Sequence, residues 1–158
     1  MKVSEIMTRN VCIASPDQKL REVAAEMERH DIGVLPVADN DRLMGIITDR
    51  DIAVRAISRG LGPEDRVRDV MSADVKCCFE EDEIGDLAQN MANEQIRRLP
   101  VFNNEKHLVG IVSLADMATS TGISDELSHH AHLAKALCSI SQERRREAPQ
   151  TVEMSAAP

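Results

Sequence analysis

Gly45-Ile46-Ile47-Thr48-Asp49-Arg50-Asp51 is echoed 65 residues later by Gly110-Ile111-Val112-Ser113-Leu114-Ala115-Asp116. Upstream the echo continues at an offset of 64: Ile32-Gly33-Val34-Leu35-Pro36-Val37 matches Ile96-Arg97-Arg98-Leu99-Pro100-Val101, and Val3-Ser4-Glu5-Ile6-Met7-Thr8 matches Val67-Arg68-Asp69-Val70-Met71-Ser72. The change of offset marks one inserted residue in the second copy. A period this long, present twice, indicates duplication of one compact unit rather than an open solenoid, which needs three or more repeats.

Each copy alternates between helical and strand patterning. Leu20, Val23, Ala24 and Met27 stand at i, i+3, i+4 and i+7, and Ile84, Leu87, Ala88 and Met91 reproduce that stripe, so both segments are predicted amphipathic helices. Ser15-Pro16-Asp17-Gln18 reads as a capping box opening the first, and the acidic run Glu80 to Glu83 suits the start of the second. Short apolar runs follow, Val34 to Ala38 and Leu43 to Ile47 in one copy, Leu99 to Phe102 and Leu108 to Val112 in the other, separated by Asn- and Asp-rich turns. They read as paired strands. Closing helices are expected at 50–59, ended by Gly60 with Pro63 beyond it, and at 115–120. The order strand, helix, strand, strand, helix predicts two three-stranded sheets with helices on one face, packed about a pseudo-twofold axis as an α/β sandwich.

With VxxhM(T/S) at the front (h for apolar), a hhLPV strand and Gly-h-h-(Thr/Ser)-x-x-Asp before the last helix, the chain resembles a tandem pair of CBS domains, the Bateman module. The resemblance covers about residues 1 to 120 in both copies. The whole chain, including TDRDIAVRA, is also similar to small stand-alone bacterial CBS-pair proteins of the hypoxic response type. On this basis 1–60 is expected to form the first repeat, 61–66 a linker, 67–122 the second repeat, 123–142 a C-terminal helix and 143–158 a disordered tail.

The repeated motif carries its own chemistry. Gly permits close backbone approach, the Thr48 or Ser113 hydroxyl sits where a helix begins, and Asp51 or Asp116 falls in its first turn. A hydroxyl among free backbone amides suits a phosphate, and an Asp carboxylate can accept from two vicinal ribose hydroxyls. The same residues also suit plain helix caps, and both readings stand at this point.

The resemblance implies that ligand lies in the cleft between repeats. It implies a tighter adenine-nucleotide site of Thr8, Cys12, Ile32, Arg97, Arg98, Ile111, Ser113 and Asp116. Its weaker mate would comprise Gly33, Val34, Ile46, Thr48, Arg50, Asp51, Ser72, Lys76 and Ile96. The expected asymmetry comes from charge: Arg97 and Arg98 can neutralise a phosphate where Gly33 and Val34 supply no cation, with Arg50 as compensation. AMP, ATP, NAD and S-adenosylmethionine all fit the family. It also implies a homodimer of paired modules and regulation of an effector protein in trans, since 158 residues leave no room for an effector domain.

Composition narrows the partners. Lys and Arg total 19 against 27 Asp and Glu, a net charge of −8 that repels a phosphate backbone, and Phe79 and Phe102 are the only aromatics, so base stacking has almost no platform. No nucleic-acid partner is expected, and any nucleobase site is aliphatic. No apolar run approaches the ~20 residues of a membrane span, and MKVSEIM lacks a signal-peptide core, so the expectation is a cytoplasmic protein without a membrane partner. Cys12, Cys77, Cys78 and Cys138 show no CxxC spacing and are expected to remain thiols, with Cys77 and Cys78 pointing to opposite faces of a strand. No GxSxG, Walker loop or suggestive carboxylate pair is present, and no enzymatic activity is expected.

Asp125 to Gln142 reads as a further amphipathic helix with Leu127, Ala131, Ala134 and Cys138 on one face, expected to dock on the pair or on a second subunit. His129 and His132, spaced i, i+3, are candidate zinc ligands, to be completed by a cysteine such as Cys138. They support an alternative function, a metal-stabilised homodimer with vestigial clefts.

Overall fold

The computed structural model describes residues 1–40, 42–120, 134, 135, 137 and 138. The two helical stripes form α1 (Leu20–His30) and α2 (Ile84–Glu94), with Leu20, Val23 and Met27 of one and Ile84, Leu87, Ala88 and Met91 of the other buried. Each ends on a left-handed residue, Asp31 at φ 51° and Gln95 at φ 57°. The start of α1 departs from expectation: Ser15 to Gln18 closes a turn of its own, and the helix is entered at Lys19, whose N–H donates to the Glu22 carboxylate at 3.1 Å. The reason lies in the second repeat. The Pro16 and Gln18 carbonyls accept from Arg68 and Val67 N–H at 3.0 Å each, which a helical start at 16 would prevent.

In the first repeat β1 (Val34–Asp39) pairs antiparallel with β2 (Arg42–Thr48), and the expected third strand shrinks to one parallel bridge, Ala14 to Val37. The second repeat has all three, β3 (Cys78–Phe79) parallel to β4 (Arg98–Phe102), which is antiparallel to β5 (Leu108–Ser113). Bulges fall at equivalent places, between Val37 and Ala38 and between Val101 and Phe102. The inserted residue is absorbed in the turn after β4, where the Asn103 side chain accepts from Glu105 and His107 N–H at 3.0 and 2.9 Å. The closing helix of the second repeat is α3 (Leu114–Ser120), whereas that of the first winds as a π-helix over Asp51–Ala56.

Two separate cores fill the molecule, and each draws on both repeats. Val3 and Met7 pack with Leu87, Met91, Val101, Val112 and Met117, while Val67 and Val70 pack with Leu20, Val23, Leu35, Val37 and Ile47. Residues 1–8 of the first repeat thus lie on the second, and residues 66–72 of the second lie on the first. Thr8 bridges Ile111 as Ser72 bridges Ile46, and Lys2 bridges Glu83 as Arg66 bridges Lys19, which is the expected pseudo-twofold relation realised by exchange of the leading segments.

Cys78, the first residue of β3, is buried, whereas Cys77, expected within the strand, stands just before it and is exposed. The Cys78 thiol lies 3.8 Å from the Pro100 carbonyl, and burial, with Asp82 and Cys77 adding to it, pushes its pKa up to about 12. Iodoacetamide at pH 8 is therefore expected to modify Cys77 and spare Cys78 until the protein is unfolded; equal rates in the native state would contradict this placement. Because the unfolded thiol ionises first, Cys78 also makes stability fall as pH rises from the ordinary thiol range towards 12.

Residues 134, 135, 137 and 138 are helical and exposed in the single chain, so Ala134 and Cys138 are not buried against the pair, one of the two partners expected for that face. The remainder of the expected C-terminal helix, with His129 and His132, and the tail lie outside the described residues. Among the described residues no helix is long and apolar enough to cross a membrane.

Candidate functional site

At the end of β5 the Ser113 N–H and hydroxyl both donate to Asp116 Oδ2 at 2.7 Å, and the Asp116 N–H donates back to the Ser113 hydroxyl at 3.2 Å. Thr48 and Asp51 repeat this at 3.0, 2.9 and 3.1 Å after β2. Both motifs are thus reciprocal caps, which accounts for one carboxylate oxygen in each. Asp116 Oδ1 has no hydrogen-bond partner among the described residues, and it is the oxygen on which the two readings of the motif divide.

The motif glycines bring the leading segments within reach. A Cβ on Gly110 would stand 2.9 Å from the Thr8 carbonyl oxygen, and one on Gly45 would stand 2.6 Å from that of Ser72. With no side chain there, Thr8 and Ile111 exchange backbone hydrogen bonds of 2.9 and 3.0 Å, carrying Thr8 beside Ser113.

A cavity of about 320 Å³ opens at this junction. Seven of the eight residues expected in the tighter site line it: Thr8, Cys12, Ile32, Arg98, Ile111, Ser113 and Asp116. Strand register explains Arg98, which stands directly opposite Ser113 across β4 and β5, and it forms no ion pair among the described residues. Arg97 does not line the cavity; one residue earlier, it gives its carbonyl to the Leu114 N–H at 3.1 Å. Gly33 and Val34, expected in the mate, line this cavity instead, because the end of α1 and the start of β1 form its far wall. Asn10, Val11, His30 and Asp31 also line it and were not foreseen. Asn10 and Asp31 share a readable signal, since both types favour the left-handed turn that each adopts here.

The mate is arranged differently. Ile46 and Ser72 exchange two hydrogen bonds of 2.9 Å beside the Thr48–Asp51 cap, so these four residues come together as expected. Arg50 is exposed, and its backbone N–H donates to Asp49. The cation in this place is Arg55, whose Nη2 lies 3.3 Å from Asp51 Oδ1 and whose Nη1 donates to the Val70 carbonyl and Ser72 hydroxyl at 2.7 and 3.2 Å. Comparing position 55 with its second-repeat equivalent, Ser120, is the sequence signal that would have found it. Lys76 pairs with Glu94 at 3.8 Å and, with Ile96, lines a separate cavity of about 220 Å³. Among the described residues no three His, Cys, Asp or Glu side chains are grouped to hold a metal ion.

Fold and cavity together define a duplicated α+β module with a ligand-sized space at the junction of its copies. The CBS domain pattern matches residues 3–57 and 67–120, and the chain belongs to the CBS domain family as a tandem pair. It is 39% identical to the CBS domain-containing protein YhcV of Bacillus subtilis (strain 168) over 118 residues, 75% of this chain and 84% of that protein. Among solved structures it is similar to Hypoxic Response Protein I with two coordinated zinc ions, at 32% identity and a TM-score of 0.69 over 77% of this chain and 100% of that one. It is also similar to a CBS domain pair in complex with 5′-methylthioadenosine and S-adenosyl-L-methionine, at 26% identity and a TM-score of 0.68 over 76% of this chain and 94% of that one.

Proposed function

We propose that this chain is a regulatory sensor that takes an adenosine-class ligand, an adenine nucleotide or S-adenosylmethionine, in the cavity lined by Asp116 and Arg98, and acts in trans on a partner protein. The observation that carries this is the presence of Asp116, whose Oδ1 has no hydrogen-bond partner among the described residues, and Arg98, which has no ion pair among them, on the wall of one cavity whose other walls include Ile32, Val34 and Ile111. Aliphatic walls accept an adenine ring, Asp116 accepts from ribose hydroxyls, and Arg98 meets a phosphate or carboxylate. The volume of about 320 Å³ suits a small ligand. A similar CBS pair binds two adenosine derivatives, which supports the same class here. Signalling requires the ligand to favour one packing of the repeats over another. A homodimer is part of this reading: Val54 and Ile57 are exposed to 50% and 68%, and Ile57 lines an apolar groove beside α1 fit for a second copy.

Calorimetric titration with AMP, ATP, NAD and S-adenosylmethionine tests the site. Asp116→Asn keeps an oxygen for the cap but loses the charge, and is expected to weaken binding roughly 10- to 100-fold, the loss of a hydrogen bond to a charged acceptor. Unchanged affinity in a folded variant would remove Asp116 from the site.

A second reading, a zinc-stabilised homodimer with vestigial clefts, is favoured by the two zinc ions of the similar Hypoxic Response Protein I. Its candidate ligands are His129, His132 and Cys138. Stoichiometric zinc, dissociation on chelation and indifference to all four adenosine ligands would select it.

A further inference from the structure

We propose that Arg55 is the built-in occupant of the mate site, so that each chain takes one adenosine-class ligand rather than two. This rests on the function proposed above and assigns that site its specificity. The equivalent residues of the two sites differ most in what their second carboxylate oxygen does. Asp116 Oδ1 has no hydrogen-bond partner among the described residues, whereas Asp51 Oδ1 is held by Arg55 Nη2 at 3.3 Å. A ribose approaching Asp51 meets a guanidinium already there.

Arg55 is also tied on its other side. Its Nη1 donates to Val70 O at 2.7 Å and Ser72 Oγ at 3.2 Å, both from the leading segment of the second repeat, so the side chain spans the junction that a ligand would have to enter. Asp51 is only 13% exposed beneath it. Among the described residues the second repeat has nothing comparable. Ser120 stands at the position of Arg55, is too short to cross, and donates to its own helix at Met117 O, 3.2 Å away. Conversely, Arg98 of the open site is matched by Val34 in the first repeat. Among the described residues each site therefore has one arginine, from a strand where the cavity is open and from a helix where Arg55 crosses it. The helix carrying Arg55 is the one wound as a π-helix, over Asp51–Ala56, while its counterpart is an ordinary α-helix. Insertions of this kind collect at functional positions.

The test is stoichiometry by calorimetry with S-adenosylmethionine and AMP as probes. Wild type is expected to bind one equivalent and Arg55→Ser, which restores the Ser120 pattern, two. In an Asp116→Asn background, where the open site is weakened, adding Arg55→Ser is expected to give one equivalent with affinity at least 10-fold above that of Asp116→Asn alone. Arg55→Gln is carried in parallel, and melting curves identify any variant that has lost its fold. Two equivalents in wild type, or one in folded Arg55→Ser, overturns the proposal. Loss of all binding in folded Arg55→Ser also does, since Arg55 would then be a ligand contact. Should wild type bind neither probe, the site reading itself fails. The proposal then stands or falls on whether Arg55→Ser gains binding, and on a ligand-free Arg55/Asp51 double-mutant cycle in which additive melting shifts overturn it.

Discussion

Gly45→Ala is expected to lower the melting temperature of the protein by roughly 10 °C, although it adds a single methyl group. The new Cβ would stand 2.6 Å from the Ser72 carbonyl oxygen and 3.0 Å from Met71 Sδ. The first of these is backbone, and it is already fixed as acceptor of the Ile46 N–H at 2.9 Å. To admit the methyl, β2 and the 66–72 segment must separate, losing both Ile46–Ser72 hydrogen bonds at ~1 kcal/mol each and adding an overpacking cost of ~1–3 kcal/mol. A total of about 3–5 kcal/mol corresponds to that shift at ~2–4 °C per kcal/mol for a chain of this length. Gly110→Ala should cost less. Its nearest neighbour, at 2.7 Å, is the Met7 sulfur, which can swing aside, and the Thr8 carbonyl stands slightly farther off, at 2.9 Å. Scanning calorimetry of both variants is decisive, and a Gly45→Ala midpoint within about 2 °C of wild type would remove steric exclusion as the reason for glycine there.

The second large effect is placed where chains ordinarily tolerate change. Val3→Asp is expected to destabilise the protein by about 3–5 kcal/mol, the scale of an uncompensated buried charge, and to collapse the second repeat first. Val3 is fully buried among α2, β4 and β5, and its N–H donates to Asp82 O at 3.0 Å. Hydrogen exchange should show protection lost in 84–117 before 20–56. Loss confined to 1–8 would mean that the leading segment only decorates the second core.

The duplication, helix stripes and strand order were all legible because the periodicities that bury side chains are written directly in the apolar positions, as Leu20, Val23 and Met27 show against Ile84, Leu87 and Met91. The start of α1 was not, because the carbonyls of Pro16 and Gln18 are claimed by residues some fifty positions away, and a local cap pattern carries no trace of that demand. The third strand of the first repeat was overstated for a related reason. An apolar stretch states that it will be buried, not how many ladder bonds it keeps, and Ala14 keeps only its bridge to Val37. At the site, Ser113, Asp116 and Arg98 were legible from motif and resemblance, while His30 and Asp31 enter only because the fold sets the end of α1 across the cavity from β5. Arg55 belongs to no repeated motif, and its only signal in the sequence is the contrast with Ser120 at the same place in the other copy.

The exchange of leading segments also fixes the order in which the molecule can become solid. The first core closes once Val67 and Val70 have been made, so half of the molecule can condense while the rest is still being synthesised. The second core cannot: two of its members, Val3 and Met7, precede α1 in the chain and stay without partners until α3 is finished. During synthesis the segment that carries Val3 and Met7 therefore stays exposed until both repeats have been made, and chaperone protection is needed longest there.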